Sequence, residues 1–350
     1  MSLATPRWWY LRDGAPARLT RTLLKPIAWI WAQQTARRIA RTEPADPGVP
    51  VICVGNVTVG GAGKTPIVRE VLARLRAAGV EAHALSRGHG GRLAGPVRVD
   101  PVRHTAAEVG DEPLMLARDF PTWVARDRAA GAGAAAAAGA QVVVMDDGHQ
   151  NPTVRKDLSL VVVDGETRDD EWPFGDGAVI PAGPMREPLG AGLARADAVV
   201  LLMPLGLDTP DPELLTALGD TPILVAHLEA AAPPPTGRQL GFGGVGKPWK
   251  VERALKAAGC NLVDFAPLPD HAKLDEGLLR ALARRAEAYG AGLVTTEKDW
   301  ARLPDAWKAK VAAWPVRVRF DQPDVLDDLL RSVAGIPLDY LDPDKGLKGF

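Results

Sequence analysis

Six residues, Gly60-Gly61-Ala62-Gly63-Lys64-Thr65, constrain this chain more than anything else in it. They lie between a near-continuous apolar run, Val49–Val57, and a helix-patterned stretch, Lys64–Ala78, with Ile67, Val71 and Leu75 on one face. A buried strand, a glycine loop and an amphipathic helix in that order form a cradle for phosphate. Glycines let the chain curl until backbone N–H groups point inward, and a helix N-terminus lies behind them. A lysine then reaches the β/γ-phosphates and a hydroxyl reaches a magnesium ion. The usual spacing has glycine five positions before Gly63, where this chain has Thr58. The strand–loop–helix context compensates, and Thr58, Val59, Gly60, Gly61, Ala62, Gly63, Lys64 and Thr65 are the expected nucleotide cradle.

The rest of the chain fits a sheet built around that loop. Strand-like runs recur at Val80–Leu85, Gln141–Met145, Leu158–Val163, Ala198–Met203 and Pro222–His227, with helical segments between most of them. This alternation predicts a parallel sheet covered on both faces, an α/β/α sandwich of the P-loop NTPase type. The run AAAPPPTG at 230–237 reads as a linker. A second, smaller α/β set follows, ending with strand Val316–Phe320 and helix Pro323–Val333. The expected units are therefore an N-terminal segment 1–48, a P-loop domain 49–230, a linker 231–237, a second domain 238–335 and a tail 336–350.

A P-loop nucleotide needs a second magnesium anchor at a neighbouring strand end. Four apolar residues followed by Asp146 and Asp147 supply one. Asp111 and Glu112 open a helix after Gly110, which suits a helix cap as well as a catalytic carboxylate. His271 sits in a turn of the second domain, and Ser86-Arg87-Gly88 follows a strand end, where α/β ligand sites lie. The long loop 164–190 ends in Pro181-Ala182-Gly183-Pro184-Met185-Arg186-Glu187.

The whole chain carries a net charge of −1, which does not mark a nucleic-acid binder, yet residues 1–45 carry +6. Trp8, Trp9, Trp29 and Trp31 lie in the same segment, and residues 16–41 are patterned as a helix with Arg21 and Lys25 among its basic residues. A basic, Trp-bearing amphipathic helix is expected to lie in a membrane interface. The alternative is a helix packed on its own domain with a solvated basic face. No run reaches 18 consecutive apolar residues, so no plain transmembrane helix is predicted. Cys53 and Cys260 are the only cysteines, which excludes a disulfide framework and a four-thiolate zinc site.

Taken in order, the motifs resemble one family. Gly55-Asn56, the P-loop with Pro66, Ser86-Arg87-Gly88, Gly110-Asp111-Glu112-Pro113, Asp146-Asp147-Gly148-x-Gln150, Gly183-Pro184-x-Arg186-Glu187, Phe242-Gly243-Gly244-Val245-Gly246-x-Pro248, Pro269-Asp270-His271 and Thr295-Thr296-Glu297-Lys298-Asp299 follow the pattern of the tetraacyldisaccharide 4'-kinases. The resemblance spans roughly residues 5–335. It implies a P-loop kinase that moves the γ-phosphoryl group of ATP, with Mg2+, to the 4'-hydroxyl of a lipid A disaccharide 1-phosphate. It also implies a peripheral protein on the cytoplasmic face of the Gram-negative inner membrane, held to inner-membrane lipids by its N-terminal helix. Carried over by motif, Lys64 and Thr65 serve phosphate and metal, and Asp146, Asp147 and Glu187 lie at the metal. Asp111 is the base with His271 as its partner, and Arg87, Gln150 and Arg186 are substrate contacts. The family usually has an aromatic residue where this chain has His89, and a histidine where it has Asn151, with His149 two positions earlier. No nucleic-acid or obligate protein partner is expected.

A nucleotide switch acting on a protein partner is the rival reading. A guanine site normally needs [NT]-K-x-D after a strand, and Thr296-Glu297-Lys298-Asp299 has its lysine one position late. A non-catalytic membrane adaptor is the third.

Overall fold

A computed structural model describes residues 6–12, 18–270 and 272–335. His271 and the tail 336–350, both singled out in the sequence, lie outside the described residues.

The described residues form thirteen strands: β1 (Val51–Gly55), β2 (Ala82–Ser86), β3 (Val97–Arg98), β4 (Thr122–Val124), β5 (Val142–Asp146), β6 (Leu158–Asp164), β7 (Ala198–Met203), β8 (Ile223–Ala230), β9 (Gln239–Gly243), β10 (Leu262–Pro267), β11 (Gly292–Thr296), β12 (Val311–Trp314) and β13 (Val316–Phe320). Nine of them make one sheet in the order β13-β8-β7-β6-β1-β5-β2-β4-β3, and four make a second in the order β10-β9-β11-β12. Only the outermost strands of the large sheet, β13 and β3, run antiparallel to their neighbours. β1 is central, flanked by β5 and β6, and every residue of all three is buried. Burial on both faces explains their unbroken apolar character.

Helix α2 (Lys64–Ala77) lays Ile67, Val68, Val71, Leu72 and Leu75 on one face of this sheet, beside Leu326 and Leu330 of helix Pro323–Ala334. The opposite face is covered by Ala132 and Ala135 of helix Arg128–Ala137, and by Phe174, Met185, Leu214 and Leu218. The alanine-rich run packs close because it carries almost no side-chain volume. The small sheet is likewise sandwiched, by helices Glu276–Ala288 and Pro248–Ala257.

One boundary is corrected. Residues 316–335 do not belong to the second domain: β13 pairs with β8 in the large sheet, with Val316 opposite Ala230, and the helix after it packs on α2. An apolar strand followed by an amphipathic helix reads the same in either sheet, so local pattern could not assign it. The short strands β3, β4 and β12 also escaped the pattern.

Helix α1 (Arg18–Arg41) touches the body through a narrow stripe, with Arg21, Ala28 and Thr35 buried and Leu24 and Ala32 packed beside them. Its larger apolar residues point outward: Leu19 is 76% exposed, Leu23 69% and Trp29 64%. Arg21 is a correction to the expected membrane set. It is buried, ion-paired to Asp176 at 2.6 Å, and donates to the Trp8 carbonyl at 2.6 Å. Trp8 and Trp9 are half-buried and stacked edge to face, whereas Trp29, Trp31 and Lys25 are exposed. Among the described residues no helix is long and apolar enough to cross a membrane.

Candidate active site

The P-loop leaves the C-terminal end of β1 with Gly60 and Gly63 at positive φ, +86° and +79°. Gly63 is also closely packed: a Cβ there would come within 2.3 Å of Leu202 Cδ2 and oblige that side chain to move. Its left-handed backbone turns the chain directly into α2. The motif 183–187 clamps the start of the loop. Val59 N–H donates to Pro184 O at 2.8 Å, Arg186 N–H to Val57 O at 2.8 Å, and Arg186 Nε to Thr58 O at 2.9 Å. Thr58 and Val59 therefore brace the cradle. The cleft itself is lined by Gly60 through Thr65.

Asp146 lies beside Val54 of β1, one strand over from the loop. Asp146 is 1% exposed and neither carboxylate oxygen has a hydrogen-bond partner. Burial, then repulsion from Glu112, pushes its pKa up to about 7. Asp147 is the opposite case. It stands at φ +54°, a conformation that costs a residue with a Cβ about 1 kcal/mol or more. Its carboxylate takes two hydrogen bonds from Arg186, at 2.6 and 3.1 Å, and lies 3.5 Å from Lys64 Nζ. Burial alone would raise its pKa, but Lys64 and Arg186 outweigh that and hold it well below the usual carboxylate range.

The adjacent carboxylates thus divide the work. Asp147 fixes Lys64 and Arg186, and Asp146 is left with two hard oxygen donors and nothing to bind. A buried carboxylate without partners beside a P-loop suits a small divalent cation that takes one or two protein oxygens and completes its shell with phosphate and water. Among the described residues no group of three or more His, Cys, Asp or Glu is placed to hold a metal by itself.

Glu187 is engaged by other side chains. Its oxygens receive Arg195 at 2.7 and 2.7 Å and Gln150 at 2.9 Å, so the expected metal donor is a buried ion-pair partner. Gln150 is further tied to Asn56 O at 2.8 Å, and Arg186 lines the cleft through its hold on Asp147. Arg87 is exposed and lies outside the cleft lining, whereas His89 is part of it. His149 is buried against Gly192 O at 2.9 Å, and burial pushes its pKa down to about 4. Asn151 accepts from Thr153 within its own turn.

Above the P-loop stands the small sheet, and a cleft of about 500 Å³ lies between the two lobes. The contact is close: a Cβ on Gly246 would fall 2.9 Å from Gly61 N. Ion pairs join the lobes around it. Lys298 bridges Glu112 and Asp270, each at 3.5 Å. Burial works against the Lys298 charge, but Glu112, Asp270 and Asp111 together raise its pKa. Arg302 reaches Asp111 at 3.4 Å and Asp299 at 3.1 Å, and also donates to Ala272 O. Lys247 and Lys250 both pair with buried Asp164 at the end of β6. The residues on either side of position 271 are thereby held by the same two cations that hold Glu112 and Asp111.

Sequence reasoning missed Lys298, Arg302, Lys247 and Asp164. Thr296-Glu297-Lys298-Asp299 was visible as part of a family motif and as a near-match to a guanine tetrad, but neither reading gave Lys298 a role. Lys298 is engaged across the lobes, and Asp299 accepts from Gly244 N–H at 2.9 Å and holds Arg302, so neither is arranged to read a base.

A family model described as tetraacyldisaccharide-1-P 4'-kinase matches residues 20–334. The tetraacyldisaccharide 4'-kinase of Caulobacter sp. (strain K31) is 68% identical over 334 residues, covering 95% of this chain and all of that protein. That of Rhodospirillum centenum is 52% identical over 332 residues, covering 94% and 96%. The crystal structure of an "apo" form LpxK from Aquifex aeolicus in complex with ATP superposes with a TM-score of 0.69 at 23% identity. It covers 90% of this chain and 99% of that one, so the two share a fold.

Proposed function

The chain belongs to the tetraacyldisaccharide 4'-kinase family, and from that premise we propose how its own residues carry out the reaction. The protein is a kinase: it transfers the γ-phosphoryl group of ATP to the 4'-hydroxyl of tetraacyldisaccharide 1-phosphate in lipid A synthesis. The observation that carries this reading is the arrangement at two adjacent strand ends, where Lys64 faces a pair of carboxylates of which Asp146 has no partner. ATP lies in the cleft with its phosphates on the N–H groups of 60–65. Phosphoryl transfer is mostly positioning and charge neutralisation, so a fixed lysine and a preorganised loop account for most of what the protein supplies. Thr65 and Asp146 would hold Mg2+, which when bound offsets charge on the phosphate oxygens. Arg186 keeps Asp147 and Lys64 in place.

Asp111 accepts the proton of the sugar hydroxyl, and His271 acts with it. Arg302 supports the pairing by holding Asp111 and the backbone beside position 271 together. Asp111→Asn and His271→Ala are each expected to lose about 10²-fold in kcat, the lower range of general-base catalysis, with ATP affinity little changed. Because the two act as a unit, the double variant should lose far less than the product. Independent, multiplying losses would reduce one of them to a binding group. The activity itself is tested by incubating purified protein with γ-labelled ATP, Mg2+ and tetraacyldisaccharide 1-phosphate. Label that appears at the 4'-position supports the reading, and ATP hydrolysis without lipid labelling overturns it.

The outward face of α1 seats the protein on an anionic membrane, on its cytoplasmic side. Leu19, Leu23, Ile27, Trp29, Ile30 and Trp31 are exposed together, and basic residues beside them add roughly 1 kcal/mol each near such a surface. Burying one such side chain is worth about 1.5–3 kcal/mol, so the pair Leu23→Ser and Trp29→Ser should weaken vesicle binding by at least about tenfold. The same variant should raise KM for lipid and leave KM for ATP unchanged. Undiminished binding to anionic vesicles would mean that this face does not meet the bilayer.

A further inference from the structure

We infer that Tyr10 is a positioning residue for the nucleotide loop, through which the N-terminal segment sets the P-loop and the second lobe against each other. The inference rests on the nucleotide reading of the P-loop given above.

Tyr10 ends the short 3-10 turn Arg7–Tyr10 and is 1% exposed. Its hydroxyl donates to the Val59 carbonyl at 2.6 Å, at the mouth of the P-loop. The face of its ring carries the Lys247 ammonium, 3.9 Å from the ring centre, and Lys247 belongs to the glycine-rich loop of the second lobe that presses on Gly60 and Gly61. Lys247 is fixed from its other side by Asp164 at 2.9 Å. One side chain thus touches the N-terminal segment, the nucleotide loop and the opposing lobe.

The segment that delivers Tyr10 is itself anchored. Trp172 N–H donates to Tyr10 O at 2.6 Å and Arg12 N–H to Asp170 O at 3.1 Å, so residues 10–12 run along the loop 164–187. That loop also carries Asp176, which holds Arg21 of α1, and Arg21 holds the Trp8 carbonyl. An anchored phenol that fixes Val59 O directs that carbonyl away from the phosphate side of the loop. Without it the loop regains conformational freedom that nucleotide binding must remove. The cation–π contact with Lys247 does the same for the loop above.

The test is calorimetric titration of the full chain with Mg2+ and a non-hydrolysable imido analogue of ATP. Tyr10→Phe removes only the hydroxyl and should weaken analogue binding about three- to tenfold, with Tm lowered by no more than about 2–4 °C, the range of one net hydrogen bond, and lipid KM unchanged. Tyr10→Leu also removes the ring under Lys247 and should weaken binding about threefold further. Leu11→Ala, which loosens the same segment without touching the phenol, should bind the analogue as the wild type does. Wild-type affinity in Tyr10→Phe overturns the inference, as does an equal loss in Leu11→Ala accompanied by a lowered Tm. A wild-type protein that fails to bind the analogue overturns this inference together with the nucleotide reading, whereas tight wild-type binding with indifferent Tyr10 variants overturns this inference alone.

Discussion

Lys64→Met should lose about 10³- to 10⁵-fold in kcat, the range that one well-placed cation on a transferring phosphoryl group supplies. The fold should survive. Lys64 opens α2 at the lining of the cleft, and its loss leaves Asp147 still held twice by Arg186. Thermal unfolding of the variant should therefore stay close to that of the wild type while turnover disappears. Near-normal turnover would remove the P-loop from the mechanism. A collapse of Tm would show that the Lys64–Asp147 pair is a structural support first.

Asp146→Asn gives the second large effect, and its two readouts move in opposite directions. Turnover should fall about 10³-fold, because the anionic ligand at the strand end is gone. Stability without metal should rise. A carboxylate that is 1% exposed and makes no hydrogen bond disfavours the folded state when charged, and its pKa raised to about 7 expresses that cost. The sign is that of an acid raised on folding. The folded state holds a proton that the unfolded chain releases near pH 4, so stability declines as pH rises from about 4 through 7. The amide carries no charge and should flatten that decline. Mg2+ should raise the wild-type Tm near neutral pH and leave the variant's nearly unmoved. A metal response retained in full by Asp146→Asn would place the cation elsewhere.

How far the sequence led can be judged at these two residues. The glycine loop, Lys64 and the paired aspartates were readable because their chemistry is local: a strand ends, and the next few residues face whatever lies at the sheet's edge. The partition of roles between Asp146 and Asp147 was not, because it depends on Arg186, thirty-nine positions on in the chain. Glu187 looked like a ligand by motif, yet Arg195 and Gln150 occupy it, and nothing in the motif announces them. The same holds for Arg302 with Asp111 and Lys247 with Asp164. Pairs between lobes are written in two distant places at once, and periodicity reads one place at a time. Arg21 shows the limit from another side. On a basic helix it resembled its neighbours, and only the position of Asp176 made it a buried anchor.

The return of β13 to the large sheet has a consequence of its own. Ala230 and Val316 face each other on adjacent strands, so everything from 231 to 315 is topologically the tip of a single hairpin. The entropic charge for closing so long a tip grows only with the logarithm of its length, so a whole lobe can be inserted there at little more cost than a turn. The tip is also folded compactly in itself, with its own four-stranded sheet and a core of its own around Leu240, Phe242 and Leu279. Both of its stems leave from one ladder rung, so they act as two pins on a common line. A swing about that line would leave the β8–β13 ladder intact, whereas a twist across it would pull the two strands apart.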